Sequence, residues 1–167
     1  IDISSNTTIE EYLKRVSGIE ELEEKMRALE SSLVDPKKLN EYSNLQNIYT
    51  RLDGYAFDHR LKTILKGFGL TNISSKTLLK HLSGGYKTKI ALAGILLKGV
   101  DILLLDEPTN NLDLPALIWL ENFILESKTT CLIVSHDRRF LDKVTSKVFE
   151  IDRYSKQIIT YTGSHTD

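Results

Sequence analysis

Residues 102–113, ILLLDEPTNNLD, decide the fold class of this sequence. The four aliphatic residues 102–105 predict a strand buried on both faces, as found in mostly parallel sheets. Pro108 lacks an N–H and ends the ladder, so Asp106 and Glu107 lie at the carboxyl end of the strand, where open α/β sheets bind ligands. Two carboxylates there suit a magnesium-nucleotide site, one for the metal and one for the attacking water. Taken alone, the segment also allows two solvated acids at a strand end.

Two further motifs flank this segment. LSGG occupies 82–85, and Ser135-His136-Asp137 follows an apolar strand predicted over Thr130–Val134. Ser83 stands where a helix N-cap would, and a helix is predicted from Tyr86 onward. A helix N-terminus carries about half a positive charge and several unpaired N–H donors, which suits a phosphate. The second strand is expected to bring His136 to the sheet edge that holds Glu107, whereas His59, His81 and His165 have no such setting.

The order of these three motifs resembles that of ABC-type ATPases, with LSGG as the signature motif, DEPTNNLD as Walker B and D-loop, and SHD as the switch histidine. The resemblance covers the chain from about residue 58 to its end, and it implies an α/β, P-loop NTPase-like fold with a mostly parallel sheet. It also implies ATP and Mg²⁺ as ligands. In that family Asp106 orders the magnesium, Glu107 polarises the water and His136 contacts the γ-phosphate.

The same resemblance places a second set of residues at the interface of a head-to-tail sandwich of two ABC domains. Ser83, Gly84, Gly85 and Tyr86 face ATP held by the other domain, and Asp113 lies in the loop that couples the two sites. From the sequence, Asp113 is also expected to cap the helix that follows this loop, with Pro115 in its first turn. Tyr86 departs from the glutamine most common after LSGG, but this position is variable among ABC-F proteins.

The N-terminal third is predicted to be a helical hairpin. After a lead-in over residues 1–6, Thr8 and Glu11 form a capping-box pattern for a helix beginning near Ile9. Two rows of apolar residues follow at helical spacing, and they are Leu22, Met26, Leu29, Leu33 and Tyr42, Leu45, Tyr49, Leu52. Asp35-Pro36 breaks the helix between the two rows. Gly18 marks either a bend or the true start of the first long helix. The hairpin would extend roughly 25 to 35 Å at 1.5 Å per residue.

A packing pair within a helical bundle is the simpler interpretation of this pattern. The place of the hairpin, directly before the signature, resembles that of the arm in ABC-F translation factors. We therefore expect three parts, namely an arm hairpin with its lead-in (1–56), a signature-bearing helical subdomain (57–100) and the Walker B, D-loop and switch-histidine part of the core (101–167).

No G-x-x-x-x-G-K-[ST] motif occurs in the sequence, so the loop that cradles the phosphates is absent from it. The expectation is that this is the latter part of one ATP-binding domain whose Walker A half lies upstream. We expect the isolated chain neither to bind ATP tightly nor to hydrolyse it.

Composition describes an ordinary soluble protein, with 41% hydrophobic residues, 27% charged residues and a net charge of −1. That balance does not indicate a general nucleic-acid binder, so any RNA contact would depend on local patches. The one cysteine, Cys131, is predicted to be a core residue. No signal peptide or run of the roughly 20 apolar residues needed to span a membrane is present, so a cytoplasmic protein is expected.

What the ABC-F resemblance implies is an ATPase that acts on the ribosome in translation, with the arm reaching toward tRNA or rRNA. Antibiotic resistance, translation regulation and ribosome rescue are equally open. The alternatives are an ATPase subunit of an ABC transporter and, less well matched, an SMC-type ATPase lobe.

Overall fold

The computed structural model describes residues 6–152 and 154–163, so most of the lead-in and His165 lie outside the described residues. The chain divides into two compact units, Ile1–Val100 and Asp101–Asp167. The first unit is helical and carries the LSGG motif, while the second contains the strands together with the DEPTNNLD and SHD segments.

The first unit is organised around a long helix that begins within the LSGG motif. Its helices are α1 (Ile9–Ser17), α2 (Ile19–Glu30), α3 (Pro36–Arg51), α4 (Phe57–Gly67) and α5 (Gly84–Leu97), with single 3₁₀ turns at Gly54–Ala56 and Leu79–His81. Both α1 and α4 pack on α5. The fully buried side chains of this unit include Tyr12, Leu13, Phe68 and Ile90.

The predicted start of α1 is confirmed. The Glu11 N–H donates to Thr8 Oγ1 (3.3 Å) and the Thr8 N–H donates to Glu11 Oε2 (2.8 Å), which completes the capping box. Gly18 then has φ +80°, a left-handed conformation that ends α1 and precedes α2. The long helix of the hairpin therefore starts at Ile19.

Helices α2 and α3 form the helical hairpin, and they pack on each other. The predicted stripe residues of both helices are half-buried, while most of their neighbours are exposed. The predicted continuation of the first helix to Leu33 is wrong, because α2 ends at Glu30 and a turn follows in which the Ser32 N–H and hydroxyl both donate to the Leu29 carbonyl. At 1.5 Å per residue α2 is about 18 Å long and α3 about 24 Å, so the hairpin is shorter than expected.

The second unit contains two small sheets. Strands β1 (Ile102–Asp106) and β2 (Thr130–Val134) pair in parallel, in the register Ile102 to Thr130, with α6 (Leu114–Glu126) between them along the chain. After α7 (Arg138–Val144), strands β3 (Lys147–Ile151) and β4 (Ile158–Thr162) pair antiparallel and form a hairpin.

The prediction that β1 is buried on both faces is wrong. Leu103 and Leu105 are buried, whereas Ile102 and Leu104 are 61% and 67% exposed. Burial on both faces requires packed elements on both sides of a strand, and among the described residues such cover lies on one side of the β1–β2 sheet only. Cys131, on β2, is likewise half-buried rather than a core residue, and partial burial raises the pKa of its thiol.

Candidate active site

Glu107 directly follows β1 and has a left-handed backbone conformation, which glutamate rarely adopts. Its N–H donates to the Val134 carbonyl at 2.7 Å, which extends the pairing with β2 by one residue. Its φ is +47°, in the left-handed region, and Pro108 directly after it is buried. Such a backbone costs about 1 to 3 kcal/mol and persists only where the surroundings enforce it. The chain therefore turns sharply at the residue predicted to act on water.

The predicted proximity of Glu107 and His136 is observed. His136 Nε2 lies 3.5 Å from Glu107 Oε1, because both residues follow neighbouring parallel strands at the same edge of the sheet. The histidine side chain is 98% exposed, whereas that of Glu107 is 24% exposed. The Oε1 atom itself is buried and has no hydrogen-bond partner in the part of the chain that the structure describes.

A buried carboxylate oxygen without a donor costs about 1 to 3 kcal/mol or more, and native structures retain such atoms mainly where a ligand or water completes them. The pair at the strand ends can accept a proton on the carboxylate and donate a hydrogen bond from the imidazole. It thus provides two complementary groups for a water molecule and a neighbouring anion.

Asp106, the last residue of β1, is exposed and stands beside Glu107 in the chain. Within the described ranges no group of three or more His, Cys, Asp and Glu side chains could hold a metal. Magnesium commonly takes only one or two protein carboxylates and completes its shell with phosphate and water oxygens. A single exposed carboxylate at this edge therefore fits magnesium bound together with a nucleotide.

The segment between β1 and α6 is held by its own turns. The Asn110 N–H donates to the Glu107 carbonyl and the Leu112 N–H to the Thr109 carbonyl, each at 3.2 Å. Asn111 has φ +64°, which asparagine tolerates better than most residues. Asp113 then caps α6 by accepting from the Ala116 N–H at 3.3 Å, as predicted from the sequence.

The signature residues form the start of α5 in the first unit. Ser83 is the N-cap, and its hydroxyl accepts from the Tyr86 N–H at 3.4 Å. Gly84 and Gly85 are the first two helical residues and are exposed, and the first turn contains no acidic side chain. The unpaired N–H groups and the partial positive charge at the start of α5 therefore meet no carboxylate from this turn.

Packing among the described residues does not explain the two glycines. Neither has a positive φ, and a Cβ at either position would meet no atom of those residues within 4 Å. Gly94, farther along the same helix, differs because its Cβ would lie 3.2 Å from Val16 Cγ1. Open space before Gly84 and Gly85 leaves the backbone accessible to a ligand or another domain.

Sequence reasoning placed Asp106, Glu107, His136, Ser83 and Asp113 at the strand end or helix end where the structure has them. It missed the left-handed backbone at Glu107, for which a glutamate gives no local signal. It also missed the left-handed Asn111, although an asparagine pair in a loop is typical of such conformations.

The strand ends and the capped signature helix are features of ABC-type nucleotide-binding domains, and solved structures agree with this fold. A complex of an archaeal ribosomal stalk protein with an archaeal ribosome recycling factor matches 96% of this chain with a TM-score of 0.53 and 23% identity, over 25% of that chain. A structure named RNase-L Inhibitor matches 99% of this chain, and 27% of its own, with a TM-score of 0.55 and 22% identity.

Sequence comparison identifies the family. The profile of the family described as "ABC transporter" matches residues 3–110, more than half of the chain. This chain belongs to that ABC family of ATP-binding proteins.

The curated relatives agree with the ABC-F resemblance. A putative ATP-binding protein, YdiF, from Bacillus subtilis is 40% identical over 125 residues, which is 75% of this chain and 19% of the relative. The ATP-binding protein Uup from Haemophilus influenzae is 39% identical over 126 residues, 74% of this chain and 19% of the relative. The tylosin resistance ATP-binding protein TlrC from Streptomyces fradiae is 38% identical over 138 residues, 78% of this chain and 25% of the relative.

The chain thus spans about a fifth to a quarter of the length of these relatives. None of the helices in the described ranges is long and apolar enough to cross a membrane.

Proposed function

We propose that this chain is the signature and Walker B part of an ABC-F ATP-binding domain that hydrolyses Mg-ATP in a head-to-tail sandwich with a second ABC domain. The observation that carries the proposal is the Glu107–His136 pair at the carboxyl ends of two parallel strands. The buried Glu107 Oε1 receives no hydrogen bond from the residues that the structure describes. The Walker A half of the domain would come from another segment of the full-length protein.

Each residue has a distinct task in this mechanism. The Glu107 carboxylate orients the attacking water and accepts its proton, while His136 donates a hydrogen bond to the γ-phosphate. Asp106 would hold magnesium, which supplies positive charge to the phosphate oxygens when bound. The pairing of β1 with β2 sets the distance between the two side chains before the nucleotide arrives.

The start of α5 serves the partner domain in this proposal. The Ser83 hydroxyl and the N–H groups of Gly84 and Gly85 donate to the γ-phosphate of ATP held by the other domain. Tyr86, which is 40% exposed, would contact the same ATP. Asp113 would lie in the loop that couples the two sites. Closure of the sandwich would therefore require ATP and two intact signatures.

For the cellular role we propose a cytoplasmic factor that acts on the ribosome, with the helical hairpin as the arm that approaches tRNA or rRNA. The relatives support the ABC-F assignment, and the name of TlrC makes antibiotic resistance one possible outcome for the full-length protein. The hairpin supports an arm because its residues are exposed or half-buried, apart from Ile19 at its base.

The test is co-sedimentation of the full-length protein with ribosomes, with Glu107→Gln compared with the unchanged protein. Glu107→Gln preserves size and polarity but removes the base, so ATP should bind and remain unhydrolysed. We expect the variant to pellet with ribosomes only when ATP is present, and its ATP hydrolysis to fall by about 10² or more.

Normal hydrolysis by Glu107→Gln would show that Glu107 does not act on water. ATP binding without pelleting would refute the ribosomal role and direct attention to a transporter partner. As a control, Glu126→Gln removes an equally negative side chain from the exposed end of α6 and should alter neither quantity.

A further inference from the structure

The last residues of the helical hairpin and of the signature helix are held by one side chain. Arg60, on α4, donates from NH1 to the Leu52 carbonyl and from NH2 to the Leu97 carbonyl, each at 3.0 Å. Leu52 is the C-cap of α3, and Leu97 is the last residue of α5. A single half-buried guanidinium therefore joins two helix ends that are 45 residues apart in the sequence.

The Arg60 bridge, defined by these two hydrogen bonds, offsets the repulsion between two helix C-termini. Each helix C-terminus presents unpaired carbonyl groups and about half a negative charge, so two such ends placed together repel each other. A guanidinium has rigidly arranged donors and a permanent positive charge, which allows it to satisfy both carbonyls at once. A lysine has one point-like cationic group and cannot reproduce the two-armed geometry.

Contacts around the bridge bring the same two segments together. A Cβ on Gly99, two residues after α5, would lie 2.9 Å from Leu52 Cδ2, so the glycine permits this close approach. The other end of the hairpin also leads to α5, because α1 packs on α5 with Val16 beside Gly94, and only Gly18 separates α1 from α2. Both ends of the hairpin are therefore attached to the helix that begins with the signature.

We propose that Arg60 is a positioning residue that makes the helical hairpin follow the signature helix, so that nucleotide contact at the start of α5 alters the hairpin. This inference rests on the proposed function, in which the start of α5 meets ATP in the closed sandwich. Arg60 touches neither the nucleotide nor the proposed ribosomal partner, and it acts through α3 and α5.

The experiment measures amide hydrogen exchange in the full-length protein with and without ATP, in a Glu107→Gln background that retains the nucleotide. Arg60→Met removes all donors and preserves the aliphatic stem. Arg51→Met is the matched control, since Arg51 ends α3, is exposed, and its side chain makes no hydrogen bond or ion pair with any residue in the described ranges.

Loss of one charge-assisted hydrogen bond changes a local opening equilibrium by roughly tenfold. Without nucleotide, exchange at residues 49–53 should therefore be about tenfold faster in Arg60→Met and unchanged in Arg51→Met. With ATP, protection at residues 83–90 should rise in all variants. Hairpin residues 19–51 should respond to ATP in the parent and in Arg51→Met, but not in Arg60→Met.

Arg60→Lys provides a second variant in case Arg60→Met does not fold, and it should retain the fold while losing most of the hairpin response. An equal hairpin response in Arg60→Met and the parent would overturn the inference, as would a parent hairpin that ignores ATP while residues 83–90 respond. A parent in which residues 83–90 also ignore ATP would refute the proposed sandwich itself, and the inference with it.

Discussion

Replacing Gly85 with alanine should have opposite effects on the stability of α5 and on ATP hydrolysis. The substitution adds one methyl group at a helical position where φ is not positive and where the new Cβ would meet no packing neighbour within 4 Å in the described part of the chain. Alanine is favoured over glycine in helices by about 0.5 to 1 kcal/mol, and the lower end applies in the first turn. We therefore expect Gly85→Ala to stabilise α5 by about 0.5 kcal/mol, which slows its amide exchange about twofold.

Activity should change in the opposite direction. If the backbone of Gly85 approaches a phosphate held by the other domain, a methyl group there lengthens the N–H contact beyond hydrogen-bond distance. ATP hydrolysis by the full-length protein should fall by about tenfold or more, because these donors act on charge that develops in the transition state.

The matched control is Gly94→Ala, the same substitution in the same helix. Its Cβ would lie 3.2 Å from Val16 Cγ1 and 3.4 Å from Leu13 Cδ2, so it should lower stability rather than raise it. Slower exchange in Gly85→Ala together with unchanged hydrolysis would refute the role of this glycine at the phosphate. Faster exchange would contradict the open space that the structure shows.

Three further predictions concern stability. Lys89→Met removes the buried ammonium that donates to the Phe68 carbonyl at 3.2 Å, and should lower the free energy of unfolding by about 1 to 2 kcal/mol in urea titrations. Tyr49→Phe removes the bond to Glu23 (3.0 Å) and should destabilise the hairpin by about 1 kcal/mol. Burial and that bond raise the pKa of Tyr49 from 10.0 to about 12. The stability that Tyr49 contributes is therefore present below pH 10 and is lost as the pH rises toward 12. Circular dichroism should detect this loss of stability in the parent but not in Tyr49→Phe. Gly54→Ala would place a Cβ 2.6 Å from the Tyr49 ring and should speed amide exchange in α3, and unchanged exchange would show that the ring can move aside.

Local chemistry made several elements predictable. Thr8, Ser83 and Asp113 are short polar residues that cap helices through their own side chains, and each one is the observed N-cap. The position of His136 beside Glu107 followed from the rule that parallel strands end at one edge of a sheet.

Features that depend on distant contacts were not predictable. Leu33 continues the apolar spacing of α2, but a local serine turn ends the helix before it, and periodicity does not report such competition. The exposure of Leu104 depends on what covers the sheet, which an apolar run cannot specify. The two bonds of Arg60 join segments far apart in sequence, and no spacing pattern indicates them.

Gly18, the left-handed glycine between α1 and α2, is the hinge between the helical hairpin and α1. Because Gly18 alone separates α1 from α2, its two backbone torsions set the angle between α1 and a helix 12 residues long. Rotation by about 10° at the base would move the far end of an 18 Å helix by about 3 Å, close to the length of a hydrogen bond. A Cβ at Gly18 would meet no atom of residues 6–152 or 154–163 within 4 Å, so a substitution there would change the direction of α2 through torsional preference rather than through collision.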